Sequence, residues 1–512
     1  MTKNEYIDKL GFEMNPFQYT NADKETNYIE KYFIYPDYFE DVWGDPHNPV
    51  SNIIYAPRGG GKTAQRIMME KRAKNYDDLL SVTYTDHDLS NFSSSNEITI
   101  SYHLEYLNRL LLLSFFSRLS SMNDFDYAFT FSFTERQFIY KLCKLYLFDT
   151  PASFPKQALN SLKTLEDRGL ELWNKFKIPF SEIIKKISKV KGVEIDLKNI
   201  SVEEEIKLSH RDNLINIIRF INKLGIKTIY ILVDKVDEQS LTGNDPKASY
   251  NFISSLIKDL ELLEMPGLAF KFFLWDALLE HCSIHARPDR VFSFKLKWTD
   301  KQIKEMLDKR IKAYSRERII DSFKLFEKRK NLGRIILFSQ FSPRDCIRIC
   351  NRVLSEQYKQ NFKSNVFETN IVHESIDEFT REKIKELLPD IKSINYLLKC
   401  NTVSYTNENL VNNKVAGTAA SIRNIIRPWA SANLSKKIGI VQRKGKKAVN
   451  EYTFIDIRAA RMACSHLTLD NFIDQKVRRC SGENCSEVLY RNFDEKSYVC
   501  SECGSFIEDK PK

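Results

Sequence analysis

Short continuous apolar runs, bounded by proline, glycine or charge, recur along the first 300 residues and predict buried strands. They are the run in VSNIIYAP, Leu79–Tyr84 in LLSVTYTDHD, Ile229–Val233 in KTIYILVDKVDEQ and Ala269–Trp275 in LAFKFFLWDALLEH. Between them the apolar spacing turns helical, as in YHLEYLNRLLLLSFFSRL and RDNLINIIRFINKL. TAQRIMMEKRAK, free of proline and glycine, predicts a helix directly after the first strand. Strands alternating with helices predict an α/β fold with a parallel sheet. The segment 95–225 is long for one connection, and its middle, KFKIPFSEIIKKISKVKGVEIDLKN, reads as an inserted helical subdomain. Past residue 366 the pattern changes. TREKIKELLPDIKSINYLLKC predicts one or two helices, and TAASIRNIIRPWASANL another that Pro428 bends or ends. Two β-rich runs, Ile438–Arg443 and Glu451–Ile455, then flank a basic tip, KGKKAVN, where Gly445 suits a turn.

The first strand and its helix are joined by APRGGGKTA: Ala56, Pro57, Arg58, Gly59, Gly60, Gly61, Lys62, Thr63 and Ala64. The phosphate-loop pattern is G-x-x-x-x-G-K-[ST], and the stretch follows it except that Ala56 stands in the first glycine position. Each part has a physical job. Glycines let successive backbone N–H groups turn inward into a nest for anionic oxygens. Lys62 reaches the outer phosphates, the Thr63 hydroxyl helps hold Mg²⁺, and the helix N-terminus adds free amides. ATP and Mg²⁺ are the implied ligands.

Such a loop needs an acidic partner. Asp234 follows the apolar run Ile229–Val233, at the strand end where open α/β sheets place ligands. It is the candidate Mg²⁺ residue, and Asp237 or Glu238 would orient and deprotonate the attacking water. The spacing D-x-x-D-E resembles the second acidic motif of signal-transducing ATPases with numerous domains (STAND), and less closely the D-E form of typical AAA+ ATPases. The resemblance covers roughly residues 10–355. It implies a P-loop NTPase in which ATP binding drives a conformational switch.

The same resemblance assigns further candidates. The NPF opening is similar to that of AAA+ relatives of replication initiators, where the segment before the loop packs beside adenine. Phe17, Tyr19 and Tyr38 would either stack on the base or pack the arm onto its domain. Asp276, after the last strand, occupies the place of a γ-phosphate sensor without being the usual polar residue. Arg287 or Arg290 would be an arginine finger on a neighbouring subunit, or form surface salt bridges. Arg344, in a Pro-Arg pair opening a helix, resembles the second sensor of a lid, where a fork-shaped guanidinium suits phosphate, with simple helix capping as the alternative.

The chain has 512 residues, which suits about three domains, and 42% apolar content. No apolar stretch reaches the length of a membrane span, and MTKNEYIDKLGFEMNPF has no secretory core, so a cytoplasmic protein without membrane contact is expected. The balance of 78 basic and 68 acidic residues gives a net charge of +10, which permits nucleic acid as partner without requiring it.

Helices followed by a basic hairpin resemble a winged helix, whose wing residues Arg443, Lys444, Lys446 and Lys447 would contact phosphates without reading sequence. A protein-contact winged helix with a solvated wing is the competing reading. Cys480 and Cys485 are spaced C-x4-C, Cys500 and Cys503 C-x2-C, with fourteen residues between the pairs. This is a zinc-ribbon layout, with strands supplied by VLYRNFDEKSYVCSECG and four thiolates closing a structural Zn²⁺ site. The other six of the ten cysteines sit in apolar stretches and read as core.

The expected organisation is an N-terminal arm (1–49), a P-loop NTPase core (50–300) with its insertion, a helical lid (301–365), a winged helix (366–465) and a zinc ribbon (474–512). The expected function is an ATP-binding and hydrolysing switch engaging nucleic acid or a partner effector protein, open to homo-oligomer assembly. Its resemblance to ATPases of bacterial antiviral defence loci implies a role there. The alternative is a nucleotide-gated DNA-binding adaptor with negligible turnover.

Overall fold

The computed structural model describes residues 1–85, 87–119, 130–148, 208–283, 287–415, 419–443, 446–480, 482, 485, 487–490, 497–500 and 503–508. They separate into two compact units, Tyr35–Leu296 and Met1–Ile34 with Lys297–Lys512. The expected N-terminal arm is therefore divided between the two.

The unit Tyr35–Leu296 is built on five strands: β1 (Asn52–Ala56), β2 (Leu79–Tyr84), β3 (Thr228–Val233), β4 (Leu268–Trp275) and β5 (Phe292–Lys295). Their order is β2-β3-β4-β1-β5 and every pairing is parallel. β1, β2 and β3 are buried along their whole length, as apolar runs in a covered parallel sheet should be, while β5 is an exposed edge. The order puts β4 between β1 and β3, in register at Ile54 with Phe273 and at Ile231 with Phe270. The carboxyl ends of β1, β3 and β4 thus lie side by side.

Helix α1 (Lys62–Ala73) follows β1, α2 (Ile100–Leu119) follows β2, α3 (His210–Lys223) precedes β3 and α4 (Pro246–Ile257) precedes β4. Leu107 and Leu110 of α2 and Leu214 and Ile217 of α3 share one core with Ile231 and Phe270. These flanks of the expected insertion are therefore part of the sheet's own core. Its middle, 175–199, lies outside the described residues.

In the other unit, four helices span Asp300–Tyr314, Arg329–Phe338, α5 (Pro343–Asn361) and Thr369–Leu387. The N-terminal segment is held to the first by buried Arg310, which donates to the Tyr19 carbonyl at 3.1 Å and to the Glu25 carboxylate.

Next come α6 (Ile391–Leu398), β6 (Ser404–Thr406), α7 (Asn407–Asn412), α8 (Ala419–Ser431), β7 (Ser435–Arg443) and β8 (Lys446–Phe454). Helix–strand–helix–helix–strand–strand, closed by the antiparallel sheet β6-β8-β7, is a winged helix. Trp429 of α8 is its packing centre. It meets Tyr405 and Phe454 edge-on or tilted at 5.7 Å and donates Nε1 to the Ser393 carbonyl at 3.2 Å. Pro428 does not end the helix. It stands inside α8, where its missing N–H removes one backbone bond, and the helix runs on to Ser431. The hairpin strands also run further than expected, to a register pair Arg443–Lys446, so Lys446 and Lys447 stand on β8 itself.

Among the described residues that follow are four short strands, β9 (Val477–Arg479), β10 (Val488–Tyr490), β11 (Ser497–Val499) and β12 (Phe506–Glu508). β9 pairs with β10 and β11 with β12, both antiparallel. Among the described residues each cysteine pair thus stands between the two strands of its own hairpin.

Candidate nucleotide site and cysteine cluster

The loop between β1 and α1 has the backbone its glycines predict. Gly59 and Gly61 have φ of +76° and +100°, the left-handed region where a side chain is strained. A Cβ on Gly60 would stand 2.9 Å from the Pro57 carbonyl oxygen. Gly61 caps α1, so the helix's unpaired N–H groups open toward the loop. Lys62 Nζ is 3.3 Å from the Ala56 carbonyl oxygen, folded back along the loop. Burial lowers the Lys62 pKa, opposed by the carboxylates of Asp237, Asp234, Asp276 and Glu238. A glycine turn closed against Pro57 and leading into a helix N-terminus, beside an amine on which four carboxylates act, fits the triphosphate and Mg²⁺ of a nucleotide. Thr63, in the first turn of α1, would face such a metal from the loop side.

On the acidic side Asp234 and Asp237 are buried, whereas Glu238 is exposed. Asp234 accepts from Arg66 Nε at 3.1 Å and from its neighbour's Lys235 N–H at 2.9 Å. Arg66 also donates to Glu70 one turn on, and the Thr83 hydroxyl of β2 donates to the same Glu70 oxygen. Lys235 has φ +58°, an uncommon conformation that turns the chain sharply after β3. Gln239 braces the turn by donating Nε2 to the Lys235 carbonyl at 2.8 Å and accepting from the His87 N–H at 3.2 Å. Asp237 accepts from Arg58 Nε of the loop at 3.0 Å, and the Arg58 guanidinium lies 3.9 Å over the Trp275 ring.

Lys62, Thr63, Asp234, Asp237 and Asp276 thus gather at the carboxyl ends of β1, β3 and β4. Other candidates stand elsewhere. Phe17 is buried to 1% exposure and packs its own unit. Tyr38 stacks on Phe294 at 5.3 Å and donates to Gln65 at 3.2 Å, so its ring is already committed to packing. Arg287 holds Asp289 with two bonds of 3.0 and 2.8 Å, and Arg290 pairs with Glu264. Arg344 is exposed in the first turn of α5. Arg66, Glu70 and Trp275 had no place in the motif reading. The only sequence signal for the first two is a charged i, i+4 pair on a helix that must lie against a buried sheet.

On the winged helix, Ile422, Ile425, Ile426 and Trp429 of α8 are buried, which leaves Arg423 and Arg427 exposed on the opposite face. Lys436, Lys437 and Lys447 are exposed on the hairpin. Arg443 ends β7, Lys446 begins β8, and Lys444 lies outside the described residues.

The Sγ atoms of Cys480, Cys485, Cys500 and Cys503 all lie within 4.8 Å of one another. The turns that carry them point N–H groups at sulfur: Gly482 N is 3.3 Å from Cys480 Sγ. The Ser505 hydroxyl, 3.1 Å from Cys503 Sγ, and the Ser505 N–H pull that thiol down to about 6, whereas burial pushes Cys480 up to about 12. A Cβ on Gly482 would come within 2.8 Å of Cys503 Sγ, so the turn is fitted to the cluster. Among the described residues four thiols converge and no carboxylate joins them, a donor set that suits a structural Zn²⁺. The six remaining cysteines are buried.

No protein-family model matches the chain, and no curated protein matches it significantly. Among solved structures it is similar to the ORC1 protein of Aeropyrum pernix in complex with DNA, at 11% identity over 91% of this chain and 98% of that one, with a TM-score of 0.36. It is also similar to Cdc6p of Pyrobaculum aerophilum, at 10% identity over 90% and 98%, with a TM-score of 0.32. Neither likeness is close enough to carry a role across. Among the described residues no helix is long and apolar enough to cross a membrane.

Proposed function

We propose that the chain is a Mg²⁺-dependent P-loop ATPase acting as a switch that couples its nucleotide state to a nucleic acid or a partner protein. The observation that carries this is the meeting of the glycine cradle and Lys62 with Asp234 and Asp237 at neighbouring strand ends. Lys62 and the loop amides would hold the phosphates, and Thr63 and Asp234 would hold Mg²⁺. The metal's part is to neutralise charge on the phosphates. Asp237, buried beside the loop, is better placed than exposed Glu238 to orient the attacking water. Arg344 as lid sensor, and Arg287 or Arg290 as a finger toward a second copy, remain parts of this proposal.

The winged helix would be the output. Arg423 and Arg427 of α8 and Lys447 of the wing are exposed, and with Arg443, Lys444 and Lys446 they would supply the cations for a duplex backbone. The cysteine cluster would hold Zn²⁺ and fix the C-terminal hairpins. By resemblance the reading extends to a cytoplasmic role in antiviral defence with a separate effector protein. The second reading is a nucleotide-gated adaptor with negligible turnover. It is favoured by the ion pairs Asp234–Arg66 and Asp237–Arg58, which already engage both acidic side chains. Single-turnover hydrolysis of ATP, with and without duplex DNA, separates the two. Turnover that Asp237→Asn abolishes supports the ATPase. Tight binding without turnover supports the adaptor.

A further inference from the structure

We propose that Arg58 couples the terminal phosphate of a nucleoside triphosphate to Asp237, so that the loop distinguishes tri- from diphosphate. The inference rests on the nucleotide reading above and adds a residue the phosphate-loop pattern leaves free to vary.

Three observations converge on this side chain. Its Nε donates to Asp237 Oδ2 at 3.0 Å, its face lies 3.9 Å over the Trp275 ring, and its Nη2 is buried with no hydrogen-bond partner. Arg58 follows β1, Asp237 follows β3 and Trp275 ends β4, so one guanidinium spans three adjacent strand ends. Stacking on an indole and bonding along one edge fix the plane of the group. The remaining edge then presents an N–H donor that has lost water and gained nothing. Such an orphan is costly, and a charged oxygen is the acceptor that best offsets the cost.

The location says which oxygen. Asp237 heads the carboxylates that act on the Lys62 ammonium, so Arg58 meets the acidic turn where Lys62 would meet the outer phosphates. With a triphosphate in the loop, Nη2 would donate to a terminal oxygen while Nε keeps Asp237 in place. With a diphosphate, that bond has no acceptor. Arg58 is on this account a phosphate contact and, for Asp237, a positioning residue. The competing explanation is a plain ion pair bracing the loop. Arg58 is about one-third exposed, where such a pair contributes little, and bracing leaves the buried Nη2 unexplained.

The test is calorimetric titration of the full chain with Mg²⁺·ADP and with a non-hydrolysable Mg²⁺·ATP analogue, in wild type, Arg58→Ala and Arg58→Lys. Loss of one charge-assisted bond should lower triphosphate affinity in Arg58→Ala about tenfold to a hundredfold. ADP affinity should stay within about threefold, because the glycine nest and Lys62 are untouched. Arg58→Lys, which keeps the charge but cannot stack and fork together, should recover less than half of the loss on a logarithmic scale. It also supplies the test should the alanine variant fail to fold. Equal weakening of both nucleotides, or a triphosphate preference unchanged by either variant, overturns the proposal while the nucleotide site stands. A wild type that binds neither nucleotide overturns the site itself.

Discussion

Arg66 sits at the junction of fold and site, and its removal has a calculable cost. It donates Nε to Asp234 at 3.1 Å and its terminal nitrogen to Glu70, which also accepts from Thr83. The side chains of Arg66, Glu70 and Asp234 are only 7%, 8% and 1% exposed. Arg66→Met keeps much of the volume but leaves two carboxylates buried without their cation. Breaking a buried pair on one side costs about 3–5 kcal/mol. For a unit the size of Tyr35–Leu296, each kcal/mol moves the melting point by about 2–4 °C, so a fall of about 6–20 °C is expected. Glu70→Gln is the control. It spares the Arg66–Asp234 pair and still offers Thr83 an acceptor, so it should cost about 1–2 kcal/mol. Scanning calorimetry of the full chain, with guanidinium unfolding as a second probe, measures both. If Arg66→Met melts less than about 6 °C below wild type, the smallest shift such a cost allows, or costs no more than Glu70→Gln, the network is not what secures Asp234.

Replacing Cys500 and Cys503 together by serine should remove zinc that metal analysis finds in the wild type at one ion per chain; full retention would place the ligands elsewhere. On the wing, replacing Lys444, Lys446 and Lys447 by alanine should flatten the salt dependence of duplex binding by roughly two to three units in log–log slope, since each phosphate contact contributes about 0.9. Affinity should fall alike on all sequences. An unaltered slope would make the winged helix a protein-contact module.

The glycine loop was legible because its requirement is local. Positive φ at Gly59 and Gly61 and the close approach at Gly60 strongly favour that residue type. The strand ending at Asp234 was legible because a fully buried strand must be a continuous apolar run. The order of the strands was not legible, because hydrogen-bond partners far apart in sequence leave no trace in periodicity. Lys271 makes the same point inside one strand. In the apolar run LAFKFFLW it reads as an interruption, yet it is buried, donates to the Val50 carbonyl and Asn52 Oδ1 at 2.7 Å each, and is pulled by burial to about 7. Arg58 and Arg66 were hidden for a related reason. An arginine reads as surface until the fold brings a buried carboxylate to it. The cysteine spacing announced a four-thiol site but not that each pair turns its own hairpin, because the spacer fits either pairing.

The most direct test of the account is calorimetric titration of Mg²⁺·ATP into wild type and into Lys62→Ala. Lys62 is the cation among the carboxylates at the loop, and its removal takes away the charge that meets the outer phosphates. The account predicts one saturable site in the wild type and no measurable binding in Lys62→Ala, with the variant still folded by circular dichroism. Equal affinity in the two proteins would contradict it.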